Sequence, residues 1–213
     1  MQTVNRTVAS LVGAALVLVL PLAAIAGQSA ADLAAQAMRE CVAGQDATAR
    51  DARKEHFERG ETLAAEAVAL DDGSAAAHFA VVCNLGESLR LDGEKITSVM
   101  GLHRLLNEVD RTLALDPNHV NAMATKGNLL MRLPRMLGGD MKEGERLLRE
   151  VVRRDDNALT SRITLAKTCE ARGDRDEAIE FASRALQIAT QQGRSDKAAE
   201  AQSTLSELGV AKP

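Results

Sequence analysis

The four histidines of this 213-residue chain are the first candidates for metal binding or acid–base chemistry: His56, His78, His103 and His119. No two of them lie three or four positions apart, so no two share a helix face in the way that a helical metal site requires. Cys83 follows His78 by five positions, which places the two on different faces of a helix. The sequence therefore predicts no metal site.

The paired acids Asp71-Asp72 and Asp155-Asp156 are the other candidates, because neighbouring carboxylates can serve acid–base catalysis. Both pairs come directly after predicted helices, where short acidic side chains form turns and caps. No nucleophile elbow, phosphate-binding loop or His-Glu-x-x-His motif occurs in the chain. We therefore predict a protein that is not an enzyme and that uses no cofactor.

The three cysteines, Cys41, Cys83 and Cys169, are an odd number, so at least one thiol stays free even in an oxidising compartment. The interpretation that we favour treats them as small hydrophobic residues. The alternative is a disulfide between Cys41 and Cys83 that ties the N-terminal helices to the first repeat. Bridged cysteines have Cα atoms within about 7 Å of each other, so a structure distinguishes the two.

The charge and the aromatic content argue against nucleic acid as a partner. The chain has 26 Lys+Arg against 30 Asp+Glu, a formal net charge of -4, whereas nucleic-acid binding needs a basic surface. It contains no Trp or Tyr and only three Phe, so aromatic side chains on which bases could stack are scarce. We expect no nucleic-acid partner.

The first 26 residues have the pattern of a secretory signal peptide. A basic start at Arg6 precedes an apolar run at residues 11–20, and Ala24-Ile25-Ala26 offers a cleavage site. The alternative is an uncleaved anchor, whose apolar stretch at residues 8–26 is barely long enough to span a bilayer. We expect cleavage after Ala26, a periplasmic or secreted mature chain, and no stable membrane span after that cleavage.

The rest of the chain contains repeated helical segments, and these would hold the residues of any binding site in place. A similar helix ending occurs at residues 67–72, 112–117 and 151–156 and in part at 185–190. The last positions of these endings are 45, 39 and 34 residues apart (72 to 117, 117 to 156, 156 to 190). A recurring period with insertions is typical of stacked helical repeats rather than of one closed globule.

The 34-residue unit resembles the tetratricopeptide repeat (TPR), a helix–turn–helix of that length. In the last copy, Ala166, Ala178 and Ala185 stand where the two helices of such a repeat touch, and Gly173-Asp174 forms the turn between them. The resemblance implies an all-α, right-handed superhelix of antiparallel helix pairs that binds partners. We expect one domain over residues 27–213, with a degenerate pair at 27–73, repeats at 74–119, 120–158 and 159–192, and a capping helix at 193–209.

The two longer spacings place insertions in two of the repeats. The 11 extra residues of the first (45 minus 34) fall at 92–102 and form either a lengthened helix pair or an additional wall of a groove. The five extra residues of the next (39 minus 34) predict an ordered turn, in which Pro134 ends a helix and Gly138 and Gly139 permit positive φ. Asp140 with Glu143 is typical of a capping box.

The turn has the sequence Pro-Arg-x-Leu-Gly-Gly-Asp at residues 134–140. It is similar to a turn in a branch of periplasmic TPR proteins that includes the T component of tripartite substrate-binding transporters. This second resemblance implies a helical protein with a groove or pore that works beside a solute-binding partner.

In TPR proteins the first helix of each pair lines a concave groove, and the resemblance implies the same arrangement here. Asn side chains can bond an extended peptide backbone, and Lys or Arg can hold a carboxylate. These features predict a non-catalytic scaffold for a protein or peptide. The alternative is an accessory component of solute transport that binds a small apolar ligand or a solute-binding protein. The partner-binding residues that we predict are Phe79, Asn121, Asn128, Met131, Arg132, Arg162 and Lys167.

Overall fold

The computed structural model describes residues 28–93 and 97–210, which are helical apart from short turns. The predicted signal peptide, at residues 1–26, lies outside the described residues. A single 3-10 turn, Arg135–Leu137, separates α5 from α6. The α-helices of the described part are α1 (Ala30–Asp46), α2 (Arg50–Leu70), α3 (Ala75–Asp92), α4 (Thr97–Leu115), α5 (Val120–Arg132), α6 (Met141–Arg154), α7 (Leu159–Arg172), α8 (Arg175–Gln191) and α9 (Ser195–Glu207).

The helices pair in chain order, α1 with α2, α3 with α4, α5 with α6 and α7 with α8, and α9 covers the last pair by packing on α8 and α7. The first helices of successive pairs also pack side by side, α1 on α3 and α5 on α7. Among the described residues, close packing is found neither between α3 and α5 nor between the second helices of successive pairs. We call the side of the array formed by the first helices its inner side. This is the predicted all-α array of TPR-like helix pairs.

Helix α1 shows how local sequence and packing together set a helix end. The Ser29 hydroxyl accepts a hydrogen bond from the amide of Asp32 at 3.1 Å and completes a capping box. A glycine near a helix end usually terminates it, but α1 continues through Gly44 to Asp46. Gly44 lies against Phe57 of α2, where a Cβ would stand 2.3 Å from the ring. The glycine therefore serves close helix packing.

Small residues allow the two helices of a pair to approach closely. Ala166, Ala178 and Ala185 are fully buried, at the positions where the repeat pattern predicts helix contact. In the preceding pair, Gly127 of α5 has this role, because a Cβ there would meet the Leu148 side chain of α6 at 2.7 Å. Gly173, with a φ of 88°, ends α7 and forms the predicted turn into α8.

A disulfide bond joins Cys41 of α1 to Cys83 of α3, with Cα atoms 6.1 Å apart. The interpretation of all three cysteines as small hydrophobic residues is therefore wrong for this pair. The two thiols become neighbours only when α1 and α3 lie side by side, which their spacing in the sequence does not show. Cys169 is free and buried. The bond closes a loop over a sequence separation of 42 residues and fixes the first two helix pairs to each other.

The insertion at residues 92–102 mainly lengthens a helix pair. Helices α3 and α4 have 18 and 19 residues, against 14 and 17 in α7 and α8. This difference accounts for more than half of the extra length. Residues 94–96, between α3 and α4, lie outside the described part of the chain.

Candidate functional site

A side-chain link joins each pair of neighbouring first helices along the inner side of the array. The disulfide joins α1 to α3, and a contact between two rings joins α3 to the start of α5. Hydrogen bonds between side chains join α5 to α7 and α7 to α9. We call the inner surface of α3, α5, α7 and α9 the groove. Three of the predicted partner-binding residues, Phe79, Asn128 and Lys167, belong to these links.

Asn128 connects α5 to α7. Its Nδ2 donates to the carbonyl of Ala124 at 2.8 Å, and its Oδ1 accepts from the Thr164 hydroxyl at 2.7 Å. An amide side chain has two donor hydrogens and two acceptor lone pairs, so one of each remains for a partner. Asn121 lies nearer the start of α5 and is exposed. Its side chain makes no hydrogen bond within the described part of the chain.

Lys167 extends from α7 towards α9. Its Nζ donates to Oε1 of Glu200 at 2.6 Å, and Lys197 donates to the other oxygen of that carboxylate at 2.8 Å. Burial alone would raise the pKa of Glu200, but the hydrogen bonds from the two lysines outweigh it and hold that pKa below its usual value. The Lys167 side chain is 51% exposed, so its ammonium group can also reach a carboxylate on a partner.

The two apolar residues predicted to bind a partner are packed within the fold. Phe79 is 9% exposed, and the centroid of its ring lies 4.4 Å from that of His119. Met131 is half-buried and lies beside α6, where a Cβ on Gly144 would stand 2.8 Å from the Met131 Cγ. Neither side chain offers a wide apolar surface, and the exposed part of the groove is polar.

Arg162 requires a correction, because the structure does not present it in the groove. It is 7% exposed, and its guanidinium group donates to the carbonyls of Val152, Asp155 and Ala158 at 3.1 to 3.3 Å. The last carbonyls of a helix lack partners within the helix, and Arg162 supplies donors for the end of α6. Burial and the positive charge of Arg184 lower the pKa of Arg162.

The predicted turn between α5 and α6 forms, with one difference from expectation. Gly138 has a φ of 89°, and the Asp140 carboxylate caps α6 by accepting from the amide of Glu143 at 3.1 Å. The reciprocal half of the capping box does not form. The two oxygens of Glu143 accept from Arg146 at 2.7 Å, and the amide of Asp140 donates to the carbonyl of Leu130 at 3.0 Å.

An ion-pair network at the junction of α6, α7 and α8 was not predicted from the sequence. Arg149 of α6 donates to Glu145 at 2.9 Å and to Glu177 of α8 at 2.8 Å, and Arg172 of α7 donates to Glu145 at 3.0 Å. Only the Glu145–Arg149 pair could be predicted from the sequence, because residues four apart on a helix are neighbours on its surface. The other partners meet only in the fold.

The same network includes the free thiol, Cys169, which donates to Glu177 at 3.2 Å. The hydrogen bond from Arg149 lowers the pKa of Glu177 to about 2, and burial raises the pKa of Cys169 to about 11. A thiol with a raised pKa is a poor nucleophile. The cluster therefore stabilises the junction and has no catalytic arrangement.

Within residues 28–93 and 97–210, no three His, Cys, Asp or Glu side chains are grouped so as to hold a metal ion. None of the helices described there combines the length and the apolar character needed to cross a membrane. The exposed groups at positions predicted for the groove include the amide of Asn121, the hydroxyl of Thr160 and the ammonium of Lys167. Such groups can bind the polar backbone and the carboxylates of a peptide.

Two solved structures of MamA are similar to this chain. The first is described as "MamA RS-1 ArsTM double mutant"; it is 16% identical, with a TM-score of 0.47, over 82% of this chain and 94% of that chain. The second is described as "MamA 41-end from Desulfovibrio magneticus RS-1"; it is 16% identical, with a TM-score of 0.47, over 81% of this chain and 93% of that chain. No family model and no curated protein match the chain. The fold assignment therefore rests on the helix packing described above.

Proposed function

We propose that this chain is a non-catalytic scaffold that binds a protein or peptide partner in the groove. The observation that carries the proposal is the row of exposed hydrogen-bonding side chains on neighbouring first helices: Asn121 on α5, and Thr160 and Lys167 on α7. A row that crosses two neighbouring helices suits an extended segment better than a compact ligand. The links between first helices fix the spacing of this row before binding, which lowers the ordering cost of association.

The proposed location is the periplasm or the exterior of the cell, after removal of residues 1–26. The disulfide between Cys41 and Cys83 supports this location, because disulfides persist in oxidising compartments and are rare in the cytosol. N-terminal sequencing of the protein from its native host tests it. We expect Gly27 as the first residue, whereas a chain that still begins at Met1 would indicate an anchor.

Partner capture tests the proposed groove. A tagged chain is expressed with its own N-terminal segment, crosslinked mildly in the native envelope, and purified with its bound proteins. Asn121→Arg with Thr160→Arg fills the groove with two bulky cations. The matched control, Ser183→Arg with Thr190→Arg, adds the same charge to exposed positions of α8. We expect the groove variant to lose its partner and the control to keep it, and equal capture by both would show that the groove is the wrong surface.

A second candidate role is that of an accessory component of solute transport. An open cavity of about 480 Å³ between α4, α5 and α6 offers space for a small molecule. The apolar side chains of Leu113, Met123 and Leu147 line one part of it, and charged side chains, Lys126, Glu143, Arg146, Glu150 and Arg154, line the rest. The turn at residues 134–140, which carries the resemblance to transporter components, follows α5. Native mass spectrometry of the isolated protein tests this role. A retained small molecule, or a solute-binding protein as the captured partner, would favour it over a general scaffold.

A further inference from the structure

The backbone of the turn between α5 and α6 is held in one conformation. The amide of Gly139 donates to the carbonyl of Pro134 at 3.1 Å, and the amide of Asp140 donates to the carbonyl of Leu130 at 3.0 Å. A Cβ on Gly139 would stand 1.8 Å from the carbonyl oxygen of Leu133, so only glycine fits there. The backbone of this five-residue insertion is therefore fixed, and so are the Cα positions from which its side chains extend.

Three cations in and beside this turn have no hydrogen-bond or ion-pair partner among the described residues. Arg132, Arg135 and Lys142 make no hydrogen bond or ion pair through their side chains within the described residues, where Arg39 is the one other such cation. The acids nearby do not neutralise them: the Asp140 carboxylate caps α6, and that of Glu143 is paired with Arg146. Unpaired positive charge thus gathers at one place on a chain that is acidic overall.

Two large apolar side chains that are next to Arg135 and Lys142 in the sequence are exposed to solvent. Met136 is 88% exposed and Met141 is 64% exposed. Exposed apolar groups that gather beside charged residues are typical of interaction sites. Methionine is flexible and polarisable, so it adapts to partner side chains of varied shape. We call Arg132, Arg135, Met136, Met141 and Lys142 together the turn surface.

We propose that the turn surface docks an acidic segment of a partner protein, in which carboxylates flank an apolar side chain. The unpaired cations meet the carboxylates, and the two methionines cover the apolar side chain. Anionic lipid fits less well, because three cations give only a modest attraction to a bilayer and the formal net charge of -4 opposes it. The turn surface is distinct from Asn121, Thr160 and Lys167, so this binding goes beyond the proposed function.

Fluorescence anisotropy with labelled synthetic peptides tests the proposal. The probes are short peptides in which aspartates flank a leucine, the same peptides with asparagines in place of the aspartates, and vesicles of phosphatidylglycerol. We expect the mature chain to bind the aspartate peptides, with weaker binding at high salt. Arg135→Glu should weaken that binding about fivefold, the size of one good exposed ion pair. Arg39→Glu, which changes the same charge at the other unpaired cation, should leave it within about twofold.

Each alternative outcome decides against the proposal. Equal binding of aspartate and asparagine peptides, no peptide binding, or an equal loss in Arg39→Glu would overturn it. Vesicle binding that Arg135→Glu abolishes, without peptide binding, would assign the surface to anionic lipid and overturn it as well. Circular dichroism verifies that the variants fold. Asn121→Arg with Thr160→Arg obstructs the proposed groove, so binding that this variant retains and that Arg135→Glu weakens belongs to the turn surface, and failure here is distinguishable from failure of the proposed groove.

Discussion

The two ends of the array are held together by different chemistry. At the N-terminal end, the disulfide between Cys41 and Cys83 and the buried amide of Asn84 join α1 to α3. At the C-terminal end, a half-buried ion-pair network centred on Arg149 and Glu177 joins α6, α7 and α8. The first set of contacts depends on the redox state, and the second depends on pH and salt.

This contrast indicates where the groove is fixed and where it can adjust. The exposed groove residues Asn121, Thr160 and Lys167 all lie on α5 and α7, beyond the disulfide-linked helices. Lys167 is paired with Glu200, a contact that a partner's carboxylate can replace. The N-terminal end, which the disulfide fixes, therefore serves as a support. The C-terminal end, whose ion pairs can be exchanged, is the one that we propose to bind the partner.

Removing the disulfide should have the largest effect on stability. We expect Cys41→Ser with Cys83→Ser to lower the free energy of unfolding by about 3–4 kcal/mol, because the bond restricts a long loop of the unfolded chain. Urea unfolding followed by circular dichroism measures this. A reductant should destabilise the wild type and leave the double variant unchanged. If the double variant were as stable as the wild type, the N-terminal end would not depend on its covalent link.

Adding one methyl group at Gly60 of α2 should have the next largest effect. A Cβ there would stand 1.9 Å from the Asn84 Oδ1, and Asn84 is fully buried. We expect Gly60→Ala to cost about 1–3 kcal/mol through overpacking, although alanine favours helices. At Gly86 of α3 the nearest atom is 3.7 Å away. Gly86→Ala should therefore stabilise the protein by about 0.5–1 kcal/mol, and similar behaviour of the two variants in urea unfolding would refute the packing argument.

Acid should weaken the C-terminal end through Glu177. Its pKa is lowered to about 2 by the hydrogen bond from Arg149, so its stabilising contribution is complete above the unfolded value near 4.5 and is lost as the pH falls towards 2. The side chain is 37% exposed, and solvent screening reduces the contribution to about 1 kcal/mol.

Thermal unfolding between pH 5 and pH 2.5 measures the contribution of Glu177. Glu177→Gln should remove the part of the pH dependence that the wild type shows in this window. The matched control is Glu180→Gln, at an exposed position of the same helix that forms no ion pair within the described residues. An identical pH profile for the two variants would contradict the role of the network.

Breaking the link between α5 and α7 should have the smallest effect on stability. Asn128 accepts one hydrogen bond from Thr164 at a half-buried site, so Asn128→Ala should cost about 1 kcal/mol or less. A double-mutant cycle with Thr164→Val isolates the coupling between the two side chains. A coupling of zero would show that the bond does not set the spacing of the first helices.

The pairing of helices could be predicted from the sequence because it depends on local signals. The contact positions Ala166 and Ala178 and the turn at Gly173 recur with the period of the repeat, and each pair forms between segments adjacent in the chain. The turn residues Pro134 to Asp140 were predictable for the same reason: glycine, proline and a capping acid each act within a few residues.

The links between pairs could not be predicted, because their partners are far apart in the sequence. Cys41 and Cys83 are 42 residues apart, and Asn128 and Thr164 are 36 apart. The sequence predicts Arg162 as a partner-binding residue of the groove. Arg162 instead bonds carbonyls at the end of α6, which repeat periodicity does not reveal. Whether the remaining predicted residues bind a partner stays a prediction.

Photocrosslinking from one residue in the groove identifies the surface that contacts the partner. A photoreactive amino acid replaces Thr160 on α7, or Ser183 on the exposed side of α8, and the cells are irradiated before the envelope is isolated. If the partner binds in the groove, we expect a crosslink to one partner protein from Thr160 and none from Ser183. A partner that crosslinks from Ser183 and not from Thr160 would contradict binding in the groove, because the binding surface would then lie on the second helices.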